Sequence, residues 1–170
     1  LRTSRGLGDV YKRQDLANNT AVALSYKPTV TTAAANGTGV DLQGYKSATL
    51  VAFIGAEGDT LSSSVHFEIS LEHSDDNSTF TDVTQADITN GTIASGGIWL
   101  KIDGTGTAGT SGNPDSTGTV TQVGYIGGKR YIRGVIAKTG THSTGTPIGL
   151  LVVKGNAIHS SDNTITAHNA

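Results

Sequence analysis

The chain has 170 residues, no cysteine and a formal net charge of −2, with 15% charged residues. The absence of cysteine excludes a disulfide framework and a cysteine-based metal site. The slightly negative net charge differs from the positive charge that is typical of a nucleic-acid-binding domain. The length favours one domain, with or without tails. Glycine, threonine and serine make up more than a third of the residues, so the composition predicts short strands joined by tight turns.

The first fourteen residues resemble translated sequencing-adapter sequence, which often contaminates metagenomic gene models. Their charged residues are Arg2, Arg5, Lys12, Arg13 and Asp9. Removing these four basic residues from 12 and the one acid from 14 leaves 8 against 13, a formal charge of −5. We expect residues 1–20 to be a non-native or disordered leader, residues 21–155 to form a β-sandwich domain, and residues 156–170 to be a flexible C-terminal tail.

Turn signals divide the first part of the domain into short strands. Residues 21–26 predict a strand that ends at Lys27-Pro28, because proline cannot donate a ladder hydrogen bond and marks an edge or an end. The Asn-Gly pair at 36–37 predicts a turn, and residues 40–42 begin the next strand. The almost wholly apolar run at residues 48–55 is typical of a central strand covered on both faces.

A hairpin over residues 65–83 is the clearest element of the chain. Apolar residues from Val65 to Leu71 alternate with polar ones, which predicts a half-exposed antiparallel strand. A register slip of one residue would place the apolar set in water, so the register is well specified. Polar residues 74–79 predict a tight turn, and the return strand begins at Phe80.

The second half continues the same pattern. Residues 98–102 predict a core strand that contains Trp99, the only tryptophan. The polar stretch 103–118 predicts a long loop that is either mobile or ordered by a partner. Further strands are expected at residues 120–126, 129–138 and 148–155. The total of eight or nine strands predicts an all-β fold, an antiparallel β-sandwich or a jelly-roll-like fold with flexible tails.

The acidic hairpin turn allows two interpretations. Carboxylate and amide oxygens in and beside the turn could bind a hard cation. The candidate residues are Glu72, Asp75, Asp76, Asn77 and Asp82. The spacing differs from that of an EF-hand loop, and Asp and Asn also favour β-turns because their side chains bond local backbone groups. We favour turn chemistry.

His66 and His73 are seven residues apart on one strand, so we expect them on opposite faces, both solvated. We predict no catalytic, cofactor-binding or metal-binding residue.

A basic cluster at residues 129–133 and the long loop supply candidate contacts. The cluster could bind a phosphate or an acidic partner. The favoured interpretation is a solvated strand face, with the basic residues paired to Glu68 or Glu72 across the sheet. The residues that we consider for partner contact are Lys129, Arg130, Arg133, Thr105, Asn113 and Asp115.

Three segments resemble landmarks of small structural proteins from tailed-phage virions. Residues 71–83 read LEHSDDNSTFTDV, residues 124–133 read GYIGGKRYIR, and an apolar strand follows Thr146-Pro147. Asn77 stands where the group usually has glycine, and Asn tolerates the left-handed conformation that glycine adopts there. The resemblance spans about residues 45–155. It implies a capsid-associated role and carries over no catalytic residue.

We therefore expect a bacteriophage virion structural protein, not an enzyme, that decorates or stabilises the capsid by protein–protein contact. We expect it to be made in the host cytoplasm, to bind capsid protein or other virion subunits, and to form a homo-oligomer, without cofactor, nucleic acid or membrane. Exposed edge strands and the 103–118 loop are the expected contacts. The alternative is a carbohydrate-binding or adhesive β-sandwich module, which needs an exposed aromatic platform.

Overall fold

Ten strands make up most of the part of the chain that a computed structural model describes, residues 16–107, 110–114 and 118–158. A four-residue helix, α1 (Leu16–Asn19), leads into the first strand, and a 3-10 turn spans Gln85–Asp87. The strands are β1 (Thr20–Thr31), β2 (Ala35–Asn36), β3 (Val40–Asp41), β4 (Tyr45–Ile54), β5 (His66–Ser74), β6 (Thr81–Asp82), β7 (Ile98–Ile102), β8 (Thr119–Tyr125), β9 (Tyr131–Thr139) and β10 (Thr146–Ala157).

The strands form two antiparallel sheets. Sheet A has the order β1-β10-β4-β8. In sheet B the central strands β9 and β5 pair with each other, β2 and β3 flank β9, and β6 and β7 flank β5. The predicted all-β antiparallel sandwich is confirmed, with slightly more strands than the eight or nine expected. The additional strand, β2, is only two residues long and falls where the Asn-Gly pair predicted a turn.

The core lies between the two sheets. Alternate residues of β4, β5, β9 and β10 point inward because successive side chains of a strand face opposite sides. The largest fully buried side chains include Leu50, Ile54, Phe67, Ile69, Leu71, Ile132, Ile136, Ile148 and Leu150. Gly134 lies between two of these positions on β9, and a Cβ there would come within 2.5 Å of Leu150 Cδ1. Glycine at this position therefore lets the two sheets approach closely.

The predicted hairpin is confirmed, and its turn is built on one carboxylate. Strand β6 pairs with β5 in a register that places Asp82 opposite Glu72. Asn77 adopts a φ of 58°, the left-handed conformation. Asp76 Oδ1 accepts the backbone N–H groups of Ser78 and Thr79 at 2.9 and 2.7 Å, and the Ser74 hydroxyl at 2.8 Å. These hydrogen bonds lower the pKa of Asp76 to about 2, which favours the turn-chemistry interpretation.

We expect Asp76→Ala to destabilise the hairpin and to reduce the sensitivity of the protein to acid. The folded-state pKa of Asp76, about 2, lies below its ordinary value of 3.8. The stabilisation is therefore complete above about pH 4 and is lost as the pH falls towards about 2. Urea denaturation midpoints measured between about pH 5 and pH 2 should fall less steeply in the variant. Asp82→Ala is the matched control, because the Asp82 carboxylate accepts none of the three bonds. Equal acid profiles for the wild type and Asp76→Ala would contradict this assignment.

One expectation for sheet A is wrong. The apolar run at residues 48–55 predicts a strand covered on both faces, and it corresponds to β4, an interior strand of sheet A. Leu50, Ala52 and Ile54 are buried, but Phe53 points to the other side and is 38% exposed. Within the described residues, only the inner face of β4 packs against the opposite sheet. Among the described residues, no second layer covers the apolar outer side chains of β4.

Candidate interaction surfaces

The hairpin end of the sandwich holds the predicted basic cluster, and each member is paired with a carboxylate. The pairs are Lys129 with Asp75, Arg130 with Asp41, and Arg133 with Glu72. Arg130 Nε and Nη2 lie 3.0 and 2.7 Å from the two carboxylate oxygens of Asp41, a bidentate geometry. The hydrogen bond from Arg130 is the largest cause of the lowered pKa of Asp41.

Arg133 also packs on the return strand of the hairpin. Its Nε lies 2.7 Å from Glu72 Oε2, directly across the β5–β9 register. Its guanidinium carbon is 4.0 Å from the centroid of the Phe80 ring. The paired-strand interpretation is therefore confirmed for Arg133. A phosphate at this position would have to displace Glu72, so the local geometry favours a structural role for this residue.

A depression of about 480 Å³ beside the cluster has Tyr45, Tyr125 and Lys129 among its lining residues. Lys154 packs against the Tyr45 ring, 4.7 Å from its centroid, and donates to the backbone oxygen of Asp41 at 3.1 Å. Burial lowers the pKa of Lys154. Because Lys129 and Arg130 are already bound by carboxylates, this depression is poorly suited to an anionic ligand.

A histidine–tyrosine contact joins the two sheets at this end. His73 Nδ1 lies 3.0 Å from the hydroxyl of Tyr125, which also accepts the backbone N–H of Lys129 at 3.0 Å. Burial raises the pKa of Tyr125. His66, on the opposite face of β5, is buried with 6% exposure. The two histidines do face opposite sides, but the expectation that both are solvated is wrong for His66, which is buried, while His73 is half-buried.

A second buried histidine lies at the other end of the sandwich. The ring of His142 is 4.0 Å from that of Phe67, and its Nε2 lies 3.1 Å from the backbone oxygen of Thr139. Asp59 accepts the backbone N–H groups of residues 143, 144 and 145 at 3.0, 3.0 and 2.7 Å. These bonds lower the pKa of Asp59. This arrangement fixes the β9–β10 loop against the loop that precedes β5. His159 and His168 lie outside the described residues.

The loop between β7 and β8 bonds mainly to itself where it is described. Asp103 Oδ1 accepts the amide and hydroxyl of Thr105 at 3.1 and 2.6 Å. Asn113 donates to the backbone oxygen of Gly106 at 3.3 Å and forms an isolated bridge with Thr110. These bonds give the described part of the loop turns and a bridge of its own. Thr105 and Asn113 stabilise the loop, and Asp115 lies outside the described residues.

The outer face of sheet A gathers five of the exposed large apolar side chains of the described residues. Its best exposed members are Val22, Leu24, Val30, Phe53 and Val120. Cross-strand pairing aligns them with half-buried or small outward residues, which are Thr49, Val51, Pro147, Gly149, Leu151 and Val153. Strands β4, β8 and β10 place no charged residue on this face. Lys27 is the charged residue of β1 and lies in a bulge beside Pro28.

Both edges of sheet A are protected. The β8 edge is covered by the segment that contains Asn90, whose amide donates to the Gln122 oxygen at 3.1 Å and accepts the Gly124 N–H at 2.7 Å. Strand β1 runs through Pro28 with two register irregularities, and the Ser25 oxygen accepts the Thr38 N–H at 2.6 Å. Proline, bulges and covering segments all discourage strand pairing. The expected shell contact through exposed edge strands therefore loses support, and the outer face is the better candidate.

No protein-family model matches the chain, and the comparisons with curated proteins and with solved structures found no significant match. Among the residues that the structure describes, no helix has the length and apolar character to span a bilayer. That same part of the chain holds no cluster of three or more His, Asp or Glu side chains arranged to bind a metal ion. The outer face of sheet A is therefore the candidate site on which a functional proposal can be built.

Proposed function

We propose that the protein is a structural component of a bacteriophage virion that decorates or stabilises the capsid by protein–protein contact. The observation that supports this proposal is the open outer face of sheet A, on which β4, β8 and β10 place no charged residue and where Val22, Leu24 and Val120 are each at least half exposed. Contiguous exposed apolar faces usually mark interaction sites, because leaving them in water is unfavourable. The resemblance of residues 71–83 and 124–133 to phage virion proteins agrees with such a role.

A contact role of this kind depends on repetition. A virion presents many identical sites, so a contact of modest affinity at each site acts in concert with its neighbours. We propose that the outer face of sheet A is buried against another virion subunit. The ion pairs of the hairpin end and the hydrogen bonds within the described part of the loop restrict these side chains before binding, which limits the loss of conformational entropy on binding.

The carbohydrate-binding alternative has weaker support. A glycan platform needs aromatic rings that are open to solvent. Trp99 packs against the core, Tyr125 is 3% exposed, and Lys154 covers the ring of Tyr45. Phe53 is open, but it belongs to the apolar face described above. The described aromatic side chains therefore favour structural roles or protein contact over sugar binding.

We expect the purified protein to co-sediment with shells assembled from the major capsid protein encoded in the same genome. Val22→Lys should lower the bound fraction at fixed concentration by about tenfold or more. The introduced ammonium group would have to lose its hydration without gaining a partner on an apolar surface. Quantitative pelleting over a range of protein concentrations measures the effect.

Ile126→Lys is the matched control for this experiment. Ile126 is 61% exposed, similar to Val22 at 65%, but it lies in the β8–β9 loop and not on the outer face. We expect this variant to bind shells as the wild type does. A wild-type protein that fails to pellet with its own shells would contradict the proposed function. Equal losses for the two variants would show that the contact does not depend on this face.

A further inference from the structure

We infer that the subunit covering the outer face of sheet A is a second copy of this chain, packed sheet against sheet around a two-fold axis. This inference deepens the contact role proposed above and rests on it, because it names the occupant of the face. Four features of sheet A support it, namely its closed edges, the absence of charge on its outer face, the relief of that face, and its area.

Because both edges of sheet A are closed, we expect a second copy to approach the outer face and not an edge. Addition of a strand to β8 would have to displace Asn90, and addition to β1 would meet Pro28 and the bulges around Tyr26. The edges are therefore unsuitable for continuous sheet formation between copies. The face has no such protection. Two sheets that stack face to face lie about 10 Å apart and bury alternate side chains of every strand, as in the sandwich itself.

The absence of charge favours an identical partner. The chain carries a net negative charge, so two copies repel each other wherever their charged surfaces meet. Strands β4, β8 and β10 present only apolar and neutral polar residues on the outer face. A second copy brings the same neutral surface and leaves no ionised group buried without a partner.

The relief of the face is self-complementary. Towards the start of β1, Leu24 aligns with Leu151 and Val51 to form a ridge across three strands. Towards the end of β1, Gly149 contributes no side chain opposite Phe53, and a depression of about 500 Å³ opens there. Its outward-facing lining residues include Pro28, Val30, Phe53, Val120 and Pro147.

The two-fold axis lies between the two stacked faces and is perpendicular to the strands. Rotation about it brings the half of one face near the start of β1 over the half of the other face near the end of β1. The ridge of each copy then lies over the depression of the other. Such an isologous contact uses the same patch on both subunits and closes after two copies. Each leucine ridge thereby gains an apolar surface without any change of backbone.

The area of the face fits a reversible dimer. Four strands about 4.8 Å apart and about seven residues long at about 3.3 Å each give roughly 450 Å² of projected face per copy. The two copies together bury on the order of 1,000 Å², the lower limit for a specific interface. We therefore expect a dimer with a dissociation constant in the range of about 1 to 100 μM.

Sedimentation velocity of the full chain, without shells, tests the inference. The wild type should shift from monomer to dimer between about 1 μM and 1 mM. Leu24→Lys on β1 and Val120→Lys on β8 introduce a positive charge at opposite sides of the face. Because both copies carry the same charge, each substitution should weaken dimerisation by at least about tenfold. Ile126→Lys should dimerise as the wild type does. Circular dichroism and melting temperature confirm that each variant is folded.

The chain has no cysteine, which allows a second and independent measurement. Leu24→Cys should form covalent dimers with a short bis-maleimide, and the yield should rise with protein concentration. Ile126→Cys should give at least about tenfold less cross-linked product under the same conditions. A wild type that stays monomeric up to about 1 mM overturns the inference. So does a dimer that Leu24→Lys and Val120→Lys leave unchanged.

The results separate this inference from the proposed function. A monomeric wild type that binds shells through a face sensitive to Val22→Lys shows that capsid protein covers the face, so the inference fails and the proposed function stands. A dimer that never associates with shells shows the reverse. The self-association is then established, and the virion role is contradicted.

Discussion

Replacement of Phe67 by alanine should lower the free energy of unfolding by about 3–5 kcal/mol, as is typical for a fully buried aromatic residue. Phe67 is completely buried near the start of β5 and packs against the ring of His142. Truncation removes apolar contacts and leaves a cavity that a close-packed sandwich fills only in part. Urea denaturation followed by fluorescence or circular dichroism measures the loss as a lower midpoint with an unchanged slope.

Phe53→Ala is the matched control, because it removes the same side chain from the open face. Phe53 is 38% exposed, and no layer of the described residues lies above it. We expect a loss of about 1 kcal/mol or less for this variant at low protein concentration. Similar losses at the two positions would show that the outer face of sheet A is covered in the isolated protein, and the assignment of this face as an open surface would be wrong.

The second large effect is expected for Ser25→Ala, at about 1–3 kcal/mol. Ser25 is 4% exposed on β1 of sheet A, and its hydroxyl accepts the N–H of Gly134 in sheet B at 2.9 Å. The same hydroxyl donates to the oxygen of Thr38 at 3.1 Å. Alanine leaves the buried N–H of Gly134 and the half-buried oxygen of Thr38 without this partner at the point where the two sheets meet. The free energy of unfolding from urea denaturation measures this loss.

Ser47→Ala serves as the control for this substitution. Ser47 lies on an exposed position of β4, where its hydroxyl has only a long contact of 3.5 Å with Asn156. We expect a change within about 0.5 kcal/mol. If Ser25→Ala were no more destabilising than Ser47→Ala, the hydroxyl bridge between β1 and β9 would contribute nothing measurable to stability.

Local patterns in the sequence were sufficient to predict the sandwich and its hairpin. Alternation from Val65 to Leu71 predicts β5, and Asn77 marks the left-handed turn residue that the structure shows at a φ of 58°. The cross-strand pair of Arg133 with Glu72 could also be anticipated, because β5 and β9 are adjacent strands. These features depend on strand periodicity and turn chemistry, which a short window of sequence contains.

The remaining features depend on contacts that a single sequence does not encode locally. Asp41 and Asp75 bind Arg130 and Lys129 from 89 and 54 residues away, so no spacing rule points to them. Burial of His66 follows from neighbouring elements and not from the alternation of β5. The apolar run of β4 predicts cover on both faces, and hydrophobicity alone does not say whether the second cover belongs to the same chain or to another molecule.

The amide of Asn90 has a consequence for how the molecule behaves when it is crowded. This side chain occupies the Gln122 oxygen and the Gly124 N–H, and the neighbouring Thr89 N–H donates to the Gly124 oxygen, so this part of the β8 edge imitates a strand that is already paired. Crowding many copies together favours amyloid-like fibre growth wherever an unpaired backbone edge can act as a template. At residues 122–126, Asn90 and the backbone of residues 87–89 together remove that template without adding a full strand to the sheet.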